Sequence, residues 1–354
     1  MTRRPASKPV ALAHRRQSRA FACLAALLLS SLAPAVLSAT EKAPPRNYAF
    51  FGQTREDIHR KEFSDEPAFA GAQIAYPWRK LEPAKDRYDF SEIAADLAFL
   101  KSKGKRLFLQ LQDVSFSPKI KNVPMYLQTE PEYHHGADPQ YEFANDHDAQ
   151  PRVAGWVARR WDPAVADRFH KLLGALARRF DGELAGINLP ETAVDFGSTG
   201  KFHPPGFTPP GYRDAIRANM AAARAAFQHS AVIQYANFMP GEWLPWDDKG
   251  YLASLFESAK KLGVGIGGPD LIPYKKAQMN HSYHFASAKG DALVIGYAVQ
   301  DGNYSQKNVK TGKRMTVGDI YDFARRTLKT DFIFWCTEEP YFTRDVLPFL
   351  RRAG

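Results

Sequence analysis

Short apolar runs alternate with longer amphipathic stretches along the chain from about residue 47 onward. The runs have the length and composition of buried strands, and the stretches repeat apolar residues at helical spacing. In the stretch Phe90–Lys103, Ser91 is predicted to cap a helix, an apolar face follows, and Gly104 ends it. The pattern predicts eight strands: Tyr48–Gly52, Ala72–Tyr76, Arg106–Leu111, Leu184–Leu189, Val232–Asn237, Val264–Ile266, Ala292–Val299 and Phe332–Cys336.

The predicted helices fall between these strands. They cover Phe90–Lys103, Pro163–Phe180, Tyr212–His229, Tyr251–Leu262, Ser282–Lys289 and Val317–Leu328, and a last short helix ends near Leu350. Eight strand–helix units fit one closed barrel, whose usual size is about 250 residues plus insertions. A doubly wound sheet also alternates, but its usual glycine-rich phosphate turn is not found after the first strand. We therefore predict an α/β fold, a single (β/α)8 TIM barrel over residues 47–354, with a long loop at residues 112–160.

The first 39 residues have the order of a secretory signal peptide. A basic stretch ends at Arg19, an apolar run follows, and small residues surround Ala35 and Ala39. We expect cleavage after one of these alanines, a polar linker at residues 40–46, and a periplasmic or secreted product without stable membrane insertion. An uncleaved anchor is the alternative. Cleavage removes Cys23 and leaves Cys336 alone, so the mature chain is predicted to lack an internal disulfide.

Composition and charge narrow the classes of function. The chain is 44% hydrophobic and 24% charged, which is ordinary for a globular protein. Its net charge of +10 includes six basic residues and no acid in the first 39 positions, which leaves 42 basic and 38 acidic residues elsewhere. This small excess is not typical of a nucleic-acid-binding protein. No nucleic-acid partner and no cofactor are predicted.

In a TIM barrel, functional residues collect where the strands end. The predicted strand ends carry carboxylates, amides and aromatic rings, a mixture that suits sugars because polar groups bind hydroxyls and aromatic faces stack on the ring. We therefore expect a carbohydrate substrate. The predicted substrate-binding residues are Trp78, Gln112, Asn188, Tyr235, Asn237, Trp243, Asp270, Gln300 and Trp335.

Three segments resemble the retaining (β/α)8 glycoside hydrolases. The stretch from Gly71 through Gln112 resembles their second and third units, "FHKLLGALARRFDGELAGINLPET" their fourth strand, and "FIFWCTEEPYF" their eighth. The resemblance implies that Glu191 is the acid/base residue and that Trp335 is an active-site tryptophan. Two positions depart from the family pattern. Pro190 stands where the families have Asn, and Gln300-Asp301 stands where they have a nucleophilic Glu.

Glycoside hydrolysis requires two carboxyl groups, about 5–5.5 Å apart for a covalent intermediate or about 6.5–9.5 Å apart to admit a water. We predict Glu191 as the proton donor and Asp301, or else Glu338, as its partner. A structural role for Glu191, paired with an arginine, is the alternative at this position. Glu339 is expected to point away from Glu338 if the strand pleat continues.

Two other functions stay open. The missing strand-seven Glu is compatible with a catalytically inactive barrel that binds a glycan. A metal-dependent hydrolase would use the histidines and aspartates of the long loop, from His134 to Asp148, or the pair His281 and His284. Such clusters in irregular polar sequence are usually solvated, so no metal site is predicted.

Overall fold

The computed structural model describes residues 42–145 and 148–353. Eight parallel strands in these ranges close into a barrel with the order β1-β8-β7-β6-β5-β4-β3-β2. They are β1 Arg46–Phe50, β2 Gly71–Pro77, β3 Arg106–Gln112, β4 Gly186–Leu189, β5 Ala231–Tyr235, β6 Gly265–Gly268, β7 Ile295–Val299 and β8 Phe332–Cys336. The predicted TIM barrel is confirmed, and each predicted strand overlaps one of these eight.

A helical segment follows every strand. These segments are α1 Lys61–Ser64, α2 Ser91–Ser102, α3 Pro163–Phe180, α4 Pro209–Ala226, α5 Tyr251–Leu262, α6 Ser282–Lys289, α7 Val317–Asp322 and α8 Leu347–Ala353. π-helical turns continue α7 over Phe323–Leu328 and precede α8 over Phe342–Val346. Short additional helices lie at Arg55–His59, Trp78–Leu81, Met125–Thr129, Pro131–Tyr133 and Lys276–Asn280.

Helix starts follow the local chemistry of the chain. Asp162 caps α3 by accepting hydrogen bonds from the amides of Ala164 and Val165, as its position before Pro163 predicts. The predicted cap at Ser91 is wrong, because Phe90 takes the capping position of α2 without a side-chain bond.

Aromatic side chains fill the lower part of the barrel. One buried cluster joins Tyr48, Phe108, Ile233, Tyr235, Ala298, Phe332 and Phe334, which come from β1, β3, β5, β7 and β8. Tyr48 and Phe108 meet edge to face at 5.3 Å. Residues of such different strands meet only inside the barrel, so this cluster fixes which positions face inward. Because side chains alternate along a strand, Ile333 and Trp335 face the helices instead.

The predicted long loop at residues 112–160 contains a small antiparallel sheet. We call this the side sheet; it consists of Val114–Ser115, Ala137–Glu142 and Arg152–Ala158, with the last strand in the middle. Gly155 lies so close to its neighbour that an added Cβ would be 1.9 Å from the carbonyl oxygen of Ser115. Glycine is therefore required for this pairing. The sheet rises from the end of β3 and forms one wall of the barrel mouth.

The segment before β1 is attached to the bottom of the barrel. Lys42 Nζ donates to the carbonyls of Gly290, Leu293 and Lys329 and pairs with Asp331 at 2.6 Å. β1 begins at Arg46, which is the last residue of the predicted linker at residues 40–46. The predicted signal peptide lies outside the described residues. Within residues 42–145 and 148–353, no helix combines the length and apolar character needed to cross a bilayer.

Candidate active site

A pocket of about 230 Å³ opens at the carboxyl end of the barrel. This is the end at which TIM-barrel sites are built. Strand ends and the first part of the side-sheet segment line it: Phe50, Gly52, Gln53, Ala75, Gln110, Gln112, Val114, Ser115, Phe116, Ser117, Ile120, Asn122, Glu191, Tyr235, Pro269 and Gln300. The lining therefore contains amides, aromatic rings and one carboxylate.

Arg160 positions the backbone of Glu191. Its guanidinium is buried in an ion pair with Asp113, at 2.5 Å, and it also donates to the carbonyl oxygen of Glu191 at 2.6 Å. The same guanidinium donates to the Tyr212 hydroxyl. Arg160 lies between the end of the side sheet at Ala158 and the helix cap at Asp162. These two elements fix its position in the chain. The predicted alternative of a structural ion pair at Glu191 is thus not what forms, because the arginine binds its main chain and pairs with Asp113.

The Glu191 carboxyl group is held by one side chain. Asn237 Nδ2 donates to Glu191 Oε2 at 2.8 Å, and the Asn237 oxygen accepts from the amide of Ala193 at 3.2 Å. Burial raises the pKa of Glu191 to about 7. The hydrogen bond from Asn237 opposes this rise, the negative charge of Asp270 adds to it, and Arg160 has a small opposing effect. A carboxyl group with this pKa can carry a proton near neutral pH.

The other predicted carboxylates lie on a rim beside the pocket. Glu338 Oε2 accepts from the amide of Gly302 at 2.8 Å, and exposed Asp301 accepts from the Cys336 thiol at 2.6 Å. Asp270 Oδ1 accepts from Asn303 Nδ2 at 3.2 Å. Glu339 instead bonds to Arg60 and Thr343. β8 ends at Cys336, so the strand pleat does not continue to this position. The structure therefore places Glu191 in the pocket wall and Asp270, Asp301 and Glu338 on the segments that follow β6, β7 and β8.

Two of the predicted stacking tryptophans have no exposed face. Trp78 is fully buried against Phe169 and donates to Glu82, and Trp335 is fully buried with its indole donating to Asn47. Trp335 lies on the outward side of β8, facing the helices, so its expected place in the active site is not observed. Trp243 differs, because half of its surface is exposed (51%) and its ring stacks on Phe238 at 5.6 Å. Phe238 directly follows Asn237, which holds the Glu191 carboxyl group, but neither ring is among the described residues that line the pocket.

The predicted amides and tyrosine are close to the barrel axis. Gln112 and Gln300 line the pocket, as does Tyr235. Asn188 is buried below them and accepts from Gln73 Nε2 at 2.8 Å. Sequence reasoning missed Gln73 and Arg160. It placed Gln110 and Asp113 at the end of the third strand but did not assign them to the site. Gln73 and Gln110 are polar residues within otherwise largely apolar strands. This pattern is the sequence signal that could have identified them as inward-facing site residues.

The histidines of the metal-hydrolase alternative are separated. Among residues 42–145 and 148–353, no three His, Cys, Asp or Glu side chains are close enough to hold one ion. His134 pairs with Asp162, and buried His281 accepts from the amide of Leu244 at 3.0 Å. Burial lowers the pKa of His281. His147, in the same predicted cluster, lies outside the described residues, and the described geometry gives this alternative no support.

The barrel fold also occurs in a solved structure. No family model and no curated protein match the sequence. Among solved structures, the chain is similar to the catalytic domain of β-amylase from Paenibacillus polymyxa, with a TM-score of 0.54 and 8% identity over 84% of this chain and 93% of that one. It is also similar to a glycosylated endo-β-1,4-xylanase of glycoside hydrolase family 10 from Gloeophyllum trabeum, with a TM-score of 0.43 and 13% identity over 73% and 71%. The predicted resemblance to (β/α)8 glycoside hydrolases is confirmed at the level of the fold.

Proposed function

We propose that this protein is an exported glycoside hydrolase that cleaves glycosidic bonds of a polysaccharide or oligosaccharide, with Glu191 as the proton donor. The observation that carries the proposal is the Glu191 carboxyl group itself. It follows β4, lines the pocket, is oriented by Asn237, and has a pKa of about 7. A general acid works best with a pKa near the working pH.

The reaction can be written with these groups. Glu191 gives its proton to the glycosidic oxygen as the bond from that oxygen to the anomeric carbon breaks. Asp301, or failing that Glu338, supplies the second carboxylate: it either bonds to the anomeric carbon or takes a proton from the attacking water. In both cases the added water supplies the new hydroxyl group of the sugar. Asp270 lies near Glu191, and its negative charge disfavours the ionised form of the Glu191 carboxyl group. Glu191 therefore keeps its proton to a higher pH.

The test is the variant Glu191→Gln, which keeps the side-chain shape but removes the acidic proton. We expect hydrolysis of an unactivated glycan to fall by a factor of roughly 10²–10⁴. A substrate with an activated leaving group should lose less, whereas Asp301→Asn should slow both substrates. If Asp301→Asn has no effect and Glu338→Gln abolishes activity, Glu338 is the partner. The matched control is Glu339→Gln, since Glu339 pairs with Arg60 away from the pocket. Full turnover by Glu191→Gln would place the acid elsewhere.

A catalytically inactive glycan-binding barrel is the second candidate. One observation favours it: Glu191 is the one carboxylate among the described residues that line the pocket. Asp301, at the position of the family nucleophile, is exposed and bonded to Cys336. A panel of glycans separates the two candidates. Binding without hydrolysis of any panel member by the wild-type protein would support the inactive barrel.

Export is a separate part of the proposal. It rests on the basic, apolar and small-residue order of residues 1–39. We expect a mature chain that begins between Val36 and Thr40, which intact-mass measurement of periplasmic protein would detect. A full-length species in the membrane fraction would contradict cleavage.

A further inference from the structure

A group of buried amides lies at the floor of the pocket. Gln73 Nε2 donates both to Asn188 Oδ1 and to the Tyr235 hydroxyl, each at 2.8 Å. Gln110, only 5% exposed, lines the pocket beside Tyr235. We call Gln73, Gln110, Asn188 and Tyr235 the floor cluster.

The floor cluster has unused hydrogen-bonding capacity. The side-chain oxygens of Gln73 and Gln110 and the Asn188 Nδ2 group are buried and have no partner among the described residues. The Tyr235 hydroxyl accepts from Gln73, and within the same residues nothing is seen to accept its proton. Buried polar groups are normally paired, because leaving one unpaired is costly. Three buried groups without a partner, together with the Tyr235 hydroxyl proton, lie beneath one pocket and point to a polar ligand group that reaches the floor.

The charge of the lining limits what that ligand can be. No lysine, arginine or histidine is among the described residues that line the pocket, although the protein as a whole is basic. The guanidinium of Arg160, which donates to the carbonyl oxygen of Glu191, is neutralised by Asp113. Glu191 is in the wall and Asp270 is close enough to act on it by charge. A carboxylate or sulfate on the ligand would therefore find no compensating cation in the lining, and it would lie near the Asp270 carboxylate even when Glu191 is protonated or replaced by Gln.

We infer that the floor cluster is a specificity subsite that binds a hydroxyl group of an uncharged sugar ring, with Gln110 and Tyr235 as the contacting residues. Gln73 holds the Tyr235 hydroxyl in place. The inference rests on the proposed function, since it names the class of sugar that the same pocket takes. A hydroxyl group suits the cluster because it accepts from the Tyr235 hydroxyl and donates to an amide oxygen at once. An analogue that lacks this hydroxyl leaves the buried partners unpaired, which is the strongest means of discrimination available to such a site.

The experiment measures binding by calorimetry on the full chain carrying Glu191→Gln, so that turnover does not enter. The ligands are methyl glycosides in pairs that differ only at C6: glucoside and glucuronide, galactoside and galacturonide, mannoside and mannuronide. We expect one neutral member to bind, with its acidic counterpart at least about tenfold weaker. Tyr235→Phe and Gln110→Leu, each added to Glu191→Gln, should weaken binding of the neutral ligand by roughly 5–100-fold.

Monodeoxy forms of the neutral ligand test the subsite without changing the protein. One deoxy form should bind as weakly as Tyr235→Phe binds the parent sugar, and should lose little more when tested on Tyr235→Phe itself. The inference is overturned if the acidic sugar binds as well as its neutral partner, if Tyr235→Phe and Gln110→Leu bind like their parent, or if no ligand binds at millimolar concentration. Binding as expected with no hydrolysis by the wild-type protein would refute the proposed function and leave the subsite supported.

Discussion

The raised pKa of Glu191 has a consequence for stability that can be measured without any substrate. The carboxyl group has an ordinary value of 4.5 in the unfolded chain and a pKa of about 7 in the folded protein. Between these two values the folded state holds a proton that the unfolded chain has released. Stability due to this group is therefore full below pH 4.5 and is lost as the pH rises towards 7. The loss amounts to about 3 kcal/mol.

Glu191→Gln removes this dependence, because the amide stays neutral at every pH and can still accept from Asn237. We expect the variant and the wild-type protein to have similar free energies of unfolding near pH 4.5. Above pH 7 the variant should be more stable by about 3 kcal/mol. The assay is urea denaturation followed by tryptophan fluorescence at a series of pH values, with the difference between the two proteins plotted against pH.

Glu339→Gln is the matched control, with the opposite sign. Burial acts to raise the pKa of Glu339, but hydrogen bonds from Thr343 and Arg60 outweigh it and lower the pKa. This variant should lose stability relative to the wild type as the pH rises. A difference curve for Glu191→Gln that is flat between pH 4.5 and 7 would refute the reasoning, because Glu191 would then ionise as in the unfolded chain.

Further predictions concern the aromatic side chains, the buried ion pair and the thiol. Trp243→Ala should weaken binding of an oligosaccharide by about 1 kcal/mol, measured by calorimetry, with little effect on unfolding. Trp335→Ala should instead lower the free energy of unfolding by about 3–5 kcal/mol in urea, since this ring is fully buried; weaker binding at unchanged stability would contradict that assignment. Asp113→Asn leaves the Arg160 guanidinium without a counterion and should destabilise by about 3–5 kcal/mol, and an unchanged urea midpoint would show that the pair is not needed. Burial raises the pKa of the Cys336 thiol well above its usual range, with a contribution from the carboxylate beside it. Iodoacetamide at pH 8 should therefore modify the unfolded protein much faster than the native one, as mass spectrometry would show.

The barrel could be predicted from the sequence because its strands are separated by amphipathic stretches of regular length. The sequence does not predict which residues of β8 face into the barrel and which face the helices. All five of its residues, Phe332–Cys336, are apolar and buried, so the alternation that distinguishes two faces is absent. Only the contacts of Phe332 and Phe334 with Phe108 inside the barrel show that Trp335 faces outward.

The side sheet was missed for a related reason. The strand Ala137–Glu142 contains Asp, Pro and Glu, which are uncommon in strands, and its pairing depends on contacts with Arg152–Ala158 rather than on local preference. The position of Glu191 at the carboxyl end of the barrel could be predicted because it comes two residues after a recognisable strand. Arg160 and Asp113 could not be paired from the sequence, since 47 positions separate them and nothing local indicates that they meet.

If residues 1–39 are a cleaved leader, as proposed, the attachment of Lys42 limits where that leader can be removed once the barrel has formed. Lys42 holds the entrance of β1 against the segments that enter β7 and β8. If the chain between them is fully extended, about 10 Å separates a cut after Ala39 from Lys42. For a cut after Ala35, this separation is about 25 Å. A peptidase needs its substrate extended in its own cleft. If the chain folds before its leader is removed, the site after Ala35 is the more accessible one; if removal comes first, both are equally open. For a cleaved leader, the mature mass would then also record the order of folding and processing.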